Sequence, residues 1–146
     1  MSLEENKALV RRFNHEAFHE GDVSATERHL APDFMNHVSG KRGAEDMQRI
    51  IRYVRGIFPD GRAEVDLEIA EGDLVAQLIT STGTHSGEVV HTPGGAIAPT
   101  GKQVSWQSVR IYRIVEGKIA EHWAVRDDLT MLRQLGAFPE AGPRAS

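Results

Sequence analysis

The sequence contains no cysteine. That absence removes disulfides, thiolate nucleophiles and cysteine-ligated zinc or iron–sulfur centres, and it agrees with a reducing compartment. Long apolar runs are missing too. The N-terminus, MSLEENKALVRRF, is charged where a secretory leader would be apolar, and no later stretch reaches bilayer length. A cytoplasmic protein is the expectation. Nor is there an excess of positive charge: the formal net charge is −4 and the pI about 6.0. Neither nucleic acid nor a membrane surface is therefore expected as a partner. Arg49, Arg52 and Arg55 recur at helical spacing beside apolar residues and read as a solvated helix face. The seven histidines form no HExxH or other compact ligand set, so no metal is expected. Gly94-Gly95 lacks the strand–turn–helix setting of a nucleotide loop, and no serine nucleophile elbow is present.

What is there fits one domain. The 146 residues, about two-fifths of them apolar, are enough to bury a real core. Leu3, Leu9, Val10, Phe13, Ala17 and Phe18 recur at helical spacing until Gly21-Asp22, with Ser2 and Glu5 placed to form a capping box. A short helix is expected over Val23 to Leu30, punctuated by Pro32, and an extended segment over Asp33 to Val38. Met47, Ile50, Ile51, Val54 and Ile57 form the stripe of a helix running from Ala44 to Ile57.

From Arg62 the period changes to two. Ala63 to Ile69 alternates apolar with charged residues as a half-buried strand does, and Glu71-Gly72-Asp73 turns it into Leu74 to Thr82. A glycine- and proline-rich crossing leads to a second hairpin, Val104 to Val115 and Ile119 to Val125, around Glu116-Gly117. A last helix, Leu129 to Leu135, precedes a loose tail at 139–146, leaving 1–138 as the domain. Helices first and antiparallel hairpins afterwards give an α+β fold with segregated helices. The last two strands are apolar on both faces, and a second subunit could cover the outer one, giving a homodimer or homotetramer.

On unbroken alternation, Ile119, Glu121, Trp123, Val125 and Asp127 share a face. Asp127 then ends an apolar face beside Trp123, where desolvation would raise its pKa toward use as a base. The competing reading is that Asp127 or Asp128 caps the last helix. The hairpin's register stays open. A two-residue turn sets Trp106, Arg110 and Tyr112 on the Asp127 face, whereas a bulge sets Val109, Ile111 and Arg113 there. In either case Glu121 could meet an arginine in a structural ion pair. His15, His19 and His29 read as surface residues, and His91 as a loop or rim residue. His122 reads as an interface or surface residue, opposite Asp127.

Several segments together resemble one family: Asn6 to Phe18, Glu20-Gly-Asp22, Leu30-Ala-Pro-Asp33 with His37, and Gly83-Thr-His85-Ser-Gly-Glu88. Pro99-Thr-Gly-Lys102, Tyr112-Arg-Ile, Gly117-Lys-Ile119, Glu121-His-Trp123, Asp127 and Gln134-Leu-Gly136 extend the pattern. The chain resembles the SnoaL-like polyketide cyclases, or ester cyclases, of the nuclear transport factor 2-like (cystatin-like α+β barrel) superfamily. The resemblance implies a cone of curved sheet with N-terminal helices packed on it, enclosing a deep apolar pocket. It implies cofactor-free ring closure by intramolecular aldol chemistry on a hydrophobic polyketide-like ester, with Asp127 as acid/base. His37 is the first candidate donor to the developing enolate oxygen. Trp106, Trp123, Tyr112, Phe34, His85 and Phe18 are expected around the substrate. A dehydratase, isomerase or hydroxylase on the same scaffold, or a non-catalytic binder of apolar small molecules, are the alternatives.

Overall fold

The computed structural model describes residues 1–137; the expected loose tail lies outside the described residues. Helix α1 (Leu3–Asn14) starts at the capping box, with Ser2 Oγ accepting from the Glu5 amide and Glu5 Oε1 from the Ser2 amide. One π-helical turn (His15–His19) then carries Ala17 and Phe18 into the core. Helix α2 (Ala25–His29) is shorter than expected. Strand β1 (Leu30–Asn36) begins before Pro32 and runs through it. After β2 (Lys41–Arg42), helix α3 spans Ala44–Ile57, the bounds its apolar stripe predicts. Strands β3 (Arg62–Glu71) and β4 (Leu74–Thr84) form the first hairpin. The glycine-rich crossing holds a small separate hairpin, β5 (Val90–Thr92) and β6 (Gly95–Ile97). Strands β7 (Gln103–Val115) and β8 (Lys118–Arg126) lead into α4 (Asp128–Gln134).

The large sheet has the order β2-β1-β8-β7-β4-β3. Its pairs are antiparallel except β1 with β8, so the sheet is mixed. Helices lie on its inner face. Val10, Phe13 and Phe18 pack there on Phe34, Met47, Ile51, Val75, Tyr112 and Ile119. A second cluster, Ile57, Phe58, Val90, Val104 and Leu135, ties α3, the small hairpin and α4 to the sheet. A buried polar chain joins α1 to the sheet. Tyr112 donates to Asn14 Oδ1 (2.9 Å), Asn14 donates to Gln77 Oε1 (2.7 Å), and Gln77 donates to Glu68 (2.7 Å).

Two bulges overturn the simple alternation expected from sequence. In β3 the register shifts between Val65 and Leu67, leaving Asp66 unpaired. Beyond it Glu68 faces inward to Gln77 and Arg11, while Leu67 and Ile69 turn outward, 63% and 69% exposed. In the last hairpin, Glu116 and Gly117 both have positive φ (50° and 75°), as a two-residue turn of this hand requires. Val115 then pairs with Lys118 and Ile114 with Ile119, but Arg113 pairs with Glu121, so Ala120 is the extra residue. The hairpin therefore combines the two-residue turn with a bulge, and the bulge decides the face. Trp123, Val125 and Glu121 lie with Ile111, Val109 and Arg113 on the outer face.

That outer face is apolar across four strands. Leu67, Leu78, Val109 and Val125 form one row of paired residues, and Ile69, Ala76, Ile111 and Trp123 the next. Among the described residues, no helix is long and apolar enough to cross a membrane.

Candidate active site

The inner face opposite α3 holds a cavity of about 800 Å3, its open mouth included. Phe18, Met47, Ile50, Val54, Phe58 and Trp106 supply apolar walls, and Asn36, Ser81, Thr82 and His122 supply neutral polar atoms. Arg55, Arg62, Arg110 and Arg126 complete the polar lining, and none of the described lining residues is acidic. Because Ala120 bulges, β8 presents His122, Ala124 and Arg126 to this space.

His122 is the one histidine that lines the cavity among the described residues. Its side chain is buried, and its Nε2 has no hydrogen-bond partner among the described residues, while Nδ1 lies 3.2 Å from Asn36 Oδ1. A chain of obligatory donors fixes the tautomer. The carboxyl of Asp46 accepts from Asn36 Nδ2 (3.0 Å), Ser39 Oγ (2.5 Å) and Arg49 Nη2 (2.7 Å). Burial works against the Asp46 charge, but these bonds outweigh it and hold the carboxyl below its ordinary range. An ionised Asp46 only accepts, so the amide nitrogen of Asn36 must face it and Oδ1 must face His122. Oδ1, which also accepts from the Val38 amide (3.1 Å), can only accept, so the Nδ1 facing it carries the imidazole proton and Nε2 is left with a free lone pair. Burial, and then the charges of Arg110, His37 and Arg126, push His122 down to about 3 from 6.5, so the ring is neutral at physiological pH.

The residues expected to react lie elsewhere. Asp127 is exposed at the start of α4, where its carboxylate accepts from Thr130 N (3.1 Å) and Thr130 Oγ1 (2.6 Å). The Thr130 hydroxyl and amide hold its pKa below the ordinary carboxylate value, the opposite of a dry base. His37 stacks on Trp123 (centroids 4.5 Å apart, planes 6° apart) and pairs with Glu121 Oε1 at 2.9 Å. Both rings border a shallow outer depression with Ile111 and Val125, away from the cavity. For Trp123 and Asp127 the physical reason is the Ala120 bulge, which exchanges the two faces of β8; His37 follows β1 and is held beside Trp123 by stacking. Glu121 does take the structural ion pair, with Arg113 Nε at 2.6 Å.

Of the expected lining residues, Trp106 and Phe18 reach the cavity. Tyr112 and Phe34 are core residues; the Tyr112 ring packs 5.0 Å from that of His122. His85 is fully buried and spans Thr100 and the Glu88 carbonyl, bracing the glycine-rich crossing. His29, expected at the surface, is buried against Glu16 at 2.8 Å. His122, Asn36 and the Asp46 behind it were not expected at the cavity, and Arg110 was expected there in only one of the two registers. The available signal was the Arg113–Glu121 charge pair, which the two-residue turn allows only with a bulge.

Comparison with known proteins follows the same lines. Residues 8–135 match the family described as SnoaL-like polyketide cyclase. The chain is 29% identical to nogalonic acid methyl ester cyclase of Streptomyces nogalater, over 82% of this chain and 90% of that protein. It is 29% identical to aklanonic acid methyl ester cyclase AcmA of Streptomyces galilaeus, over 97% of this chain and 99% of that one. Among solved structures, AclR from Streptomyces galilaeus, provisionally described as a hydroxylase, is 35% identical with a TM-score of 0.83, covering 98% of this chain and 87% of AclR.

Proposed function

Because the chain belongs to the SnoaL-like polyketide cyclase family, we propose that it closes a ring by intramolecular aldol addition in a hydrophobic polycarbonyl ester. In this reading His122, not Asp127, moves the proton. The observation that carries it is the unpartnered Nε2 of a buried, neutral imidazole on an acid-free cavity wall. Nε2 takes a proton from a carbon flanked by carbonyls, the resulting enolate carbon bonds to a second carbonyl carbon, and Nε2–H returns the proton to the new alkoxide. A carbon between two carbonyls is acidic enough for a weak base, provided the enolate oxygen is met by a donor. Arg110 lies on the same face as Ala124 and His122 and is the group to supply it. The apolar walls exclude water and hold the chain folded near its reacting geometry. We assign the fold unit to 1–138, the compartment to the cytoplasm and the oligomer to a homodimer or homotetramer. The two apolar rows on the outer sheet face support the last.

The test compares His122→Gln with Asp127→Asn on nogalonic or aklanonic acid methyl ester. His122→Gln should lower kcat by about 10²–10⁴-fold with little change in KM, and Asp127→Asn should stay within about threefold of wild type. The reverse ranking would return the proton to Asp127. The likeness to AclR favours hydroxylation as the second reading; mass spectrometry separates the two, since aldol closure leaves the mass unchanged and hydroxylation adds an oxygen atom.

A further inference from the structure

Arginine is the unusual ingredient of the cavity. The chain as a whole is acidic, with a formal charge of −4, so a cationic interior is not a by-product of a basic sequence. Elsewhere several arginines are matched, and Arg12, Arg52 and Arg133, which have no side-chain partner among the described residues, stand exposed to solvent. Arg11 pairs with Glu68, Arg28 with Glu16 and Asp22, Arg49 with Asp46, and Arg113 with Asp73 and Glu121. Arg55, at the cavity edge, spends its guanidinium on the carbonyls of His19 (3.1 Å) and Gly61 (3.0 Å).

Arg110 has no such partner. Among the described residues it makes no ion pair and no side-chain hydrogen bond, and its guanidinium lies 4.5 Å from the centroid of the Phe18 ring. Its neighbours on the adjoining strands are Gln77 on β4 and Ala124 on β8, one neutral and the other too small to cover it. A half-buried cation resting on an aromatic face gains little from the ring compared with what it loses in hydration. Among the described residues nothing neutralises it. Arg126, tied only weakly to Asp128 at 3.3 Å, and Arg62 stand on the same cavity wall, and their positive field would draw an anion inward.

We propose that the cavity binds its substrate as an anion, seating an ionised oxygen on Arg110 while a flat apolar body packs against Phe18, Phe58 and Trp106. This rests on reading the cavity as the substrate site and adds the substrate's charge. The shared chemistry is an oxyanion, which an ionised phenol or enol of the ester, or an unesterified carboxylate elsewhere on the molecule, provides. It also suits the reaction. An anion on Arg110 offsets one of the charges that, after burial, oppose protonation of His122, so the imidazole is a better base with the anion seated than with Arg110 unpaired.

Calorimetric titration of the intact protein with unreactive probes tests this without any turnover. Anthraquinone-2-carboxylate should bind about tenfold or more tightly than its methyl ester, the size of one charge-assisted contact. 2-Hydroxyanthraquinone, titrated across its own ionisation, reports the phenolate source: tighter binding of the ionised form extends the site to phenolates. No change there, with the carboxylate still preferred, confines it to carboxylates. In Arg110→Gln the acid and ester should bind within about twofold of each other, with the ester unchanged, and Arg110→Lys should restore part of the preference. Arg110→Gln removes an unpaired charge, so its melting temperature should not fall. Equal affinity of acid and ester in the wild type, or a preference that survives Arg110→Gln, overturns the proposal. His122→Gln should keep the preference, so loss of catalysis and loss of anion recognition are read separately.

Discussion

The burial of His122 has a consequence for stability that can be measured without knowing any substrate. In the unfolded chain its imidazole binds a proton near 6.5, and in the folded protein only near 3. Between those values the unfolded state holds a proton that the folded state does not, so stability falls as pH falls. The contribution is complete above pH 6.5 and erodes toward pH 3. One proton costs about 1.4 kcal/mol per pH unit, so the whole window is worth roughly 4–5 kcal/mol. That is comparable with half the stability of a small domain, at about 5–15 kcal/mol. His122→Gln removes this group and leaves the other titrating residues in place. Urea unfolding at intervals from pH 8 to pH 4 should show the wild type losing about 2–3 kcal/mol more than the variant between pH 6 and pH 4. The imidazole carbon-bound proton of His122 should also keep its neutral NMR shift through pH 5. Parallel stability curves for the two proteins, or a His122 resonance titrating near 6.5, would refute the tautomer and burial argument together.

Two further outcomes follow from the geometry. Asp127→Ala removes the acceptor for two Thr130 donors at the start of α4, so the melting temperature should fall by about 2–6 °C while ring closure persists. Leu67→Lys together with Val125→Lys places charges in one outer row, and sedimentation should show a mass shift from oligomer to monomer; an unchanged mass would move the interface elsewhere.

Much of the architecture was legible because local rules act within a few residues. The Ser2–Glu5 capping box, the stripe of α3 and the positive-φ turn at Glu116-Gly117 each declare themselves in sequence. The site was less legible, and for a definite reason. Alternation is a rule about parity, and one unpaired residue in β3 and another in β8 reverse it downstream. Asp127 and Trp123 were assigned to the cavity by counting from Ile119, and every count past Ala120 is off by one face. His85 and His29 were misplaced for a different reason: their burial depends on Thr100, Glu88 and Glu16, partners supplied by tertiary contact.

Strand β8 thus has two different walls written on its opposite sides, one of imidazole and guanidinium, the other of indole and carboxylate. Sliding into unbroken pairing would turn the second wall inward, but it would also set Glu121 opposite Tyr112, an ionised group driven into the driest end of the sheet. The penalty on that single carboxylate keeps the kink in place. A charge outside the chamber thereby bears on whether the chamber is lined by cations or by an acid.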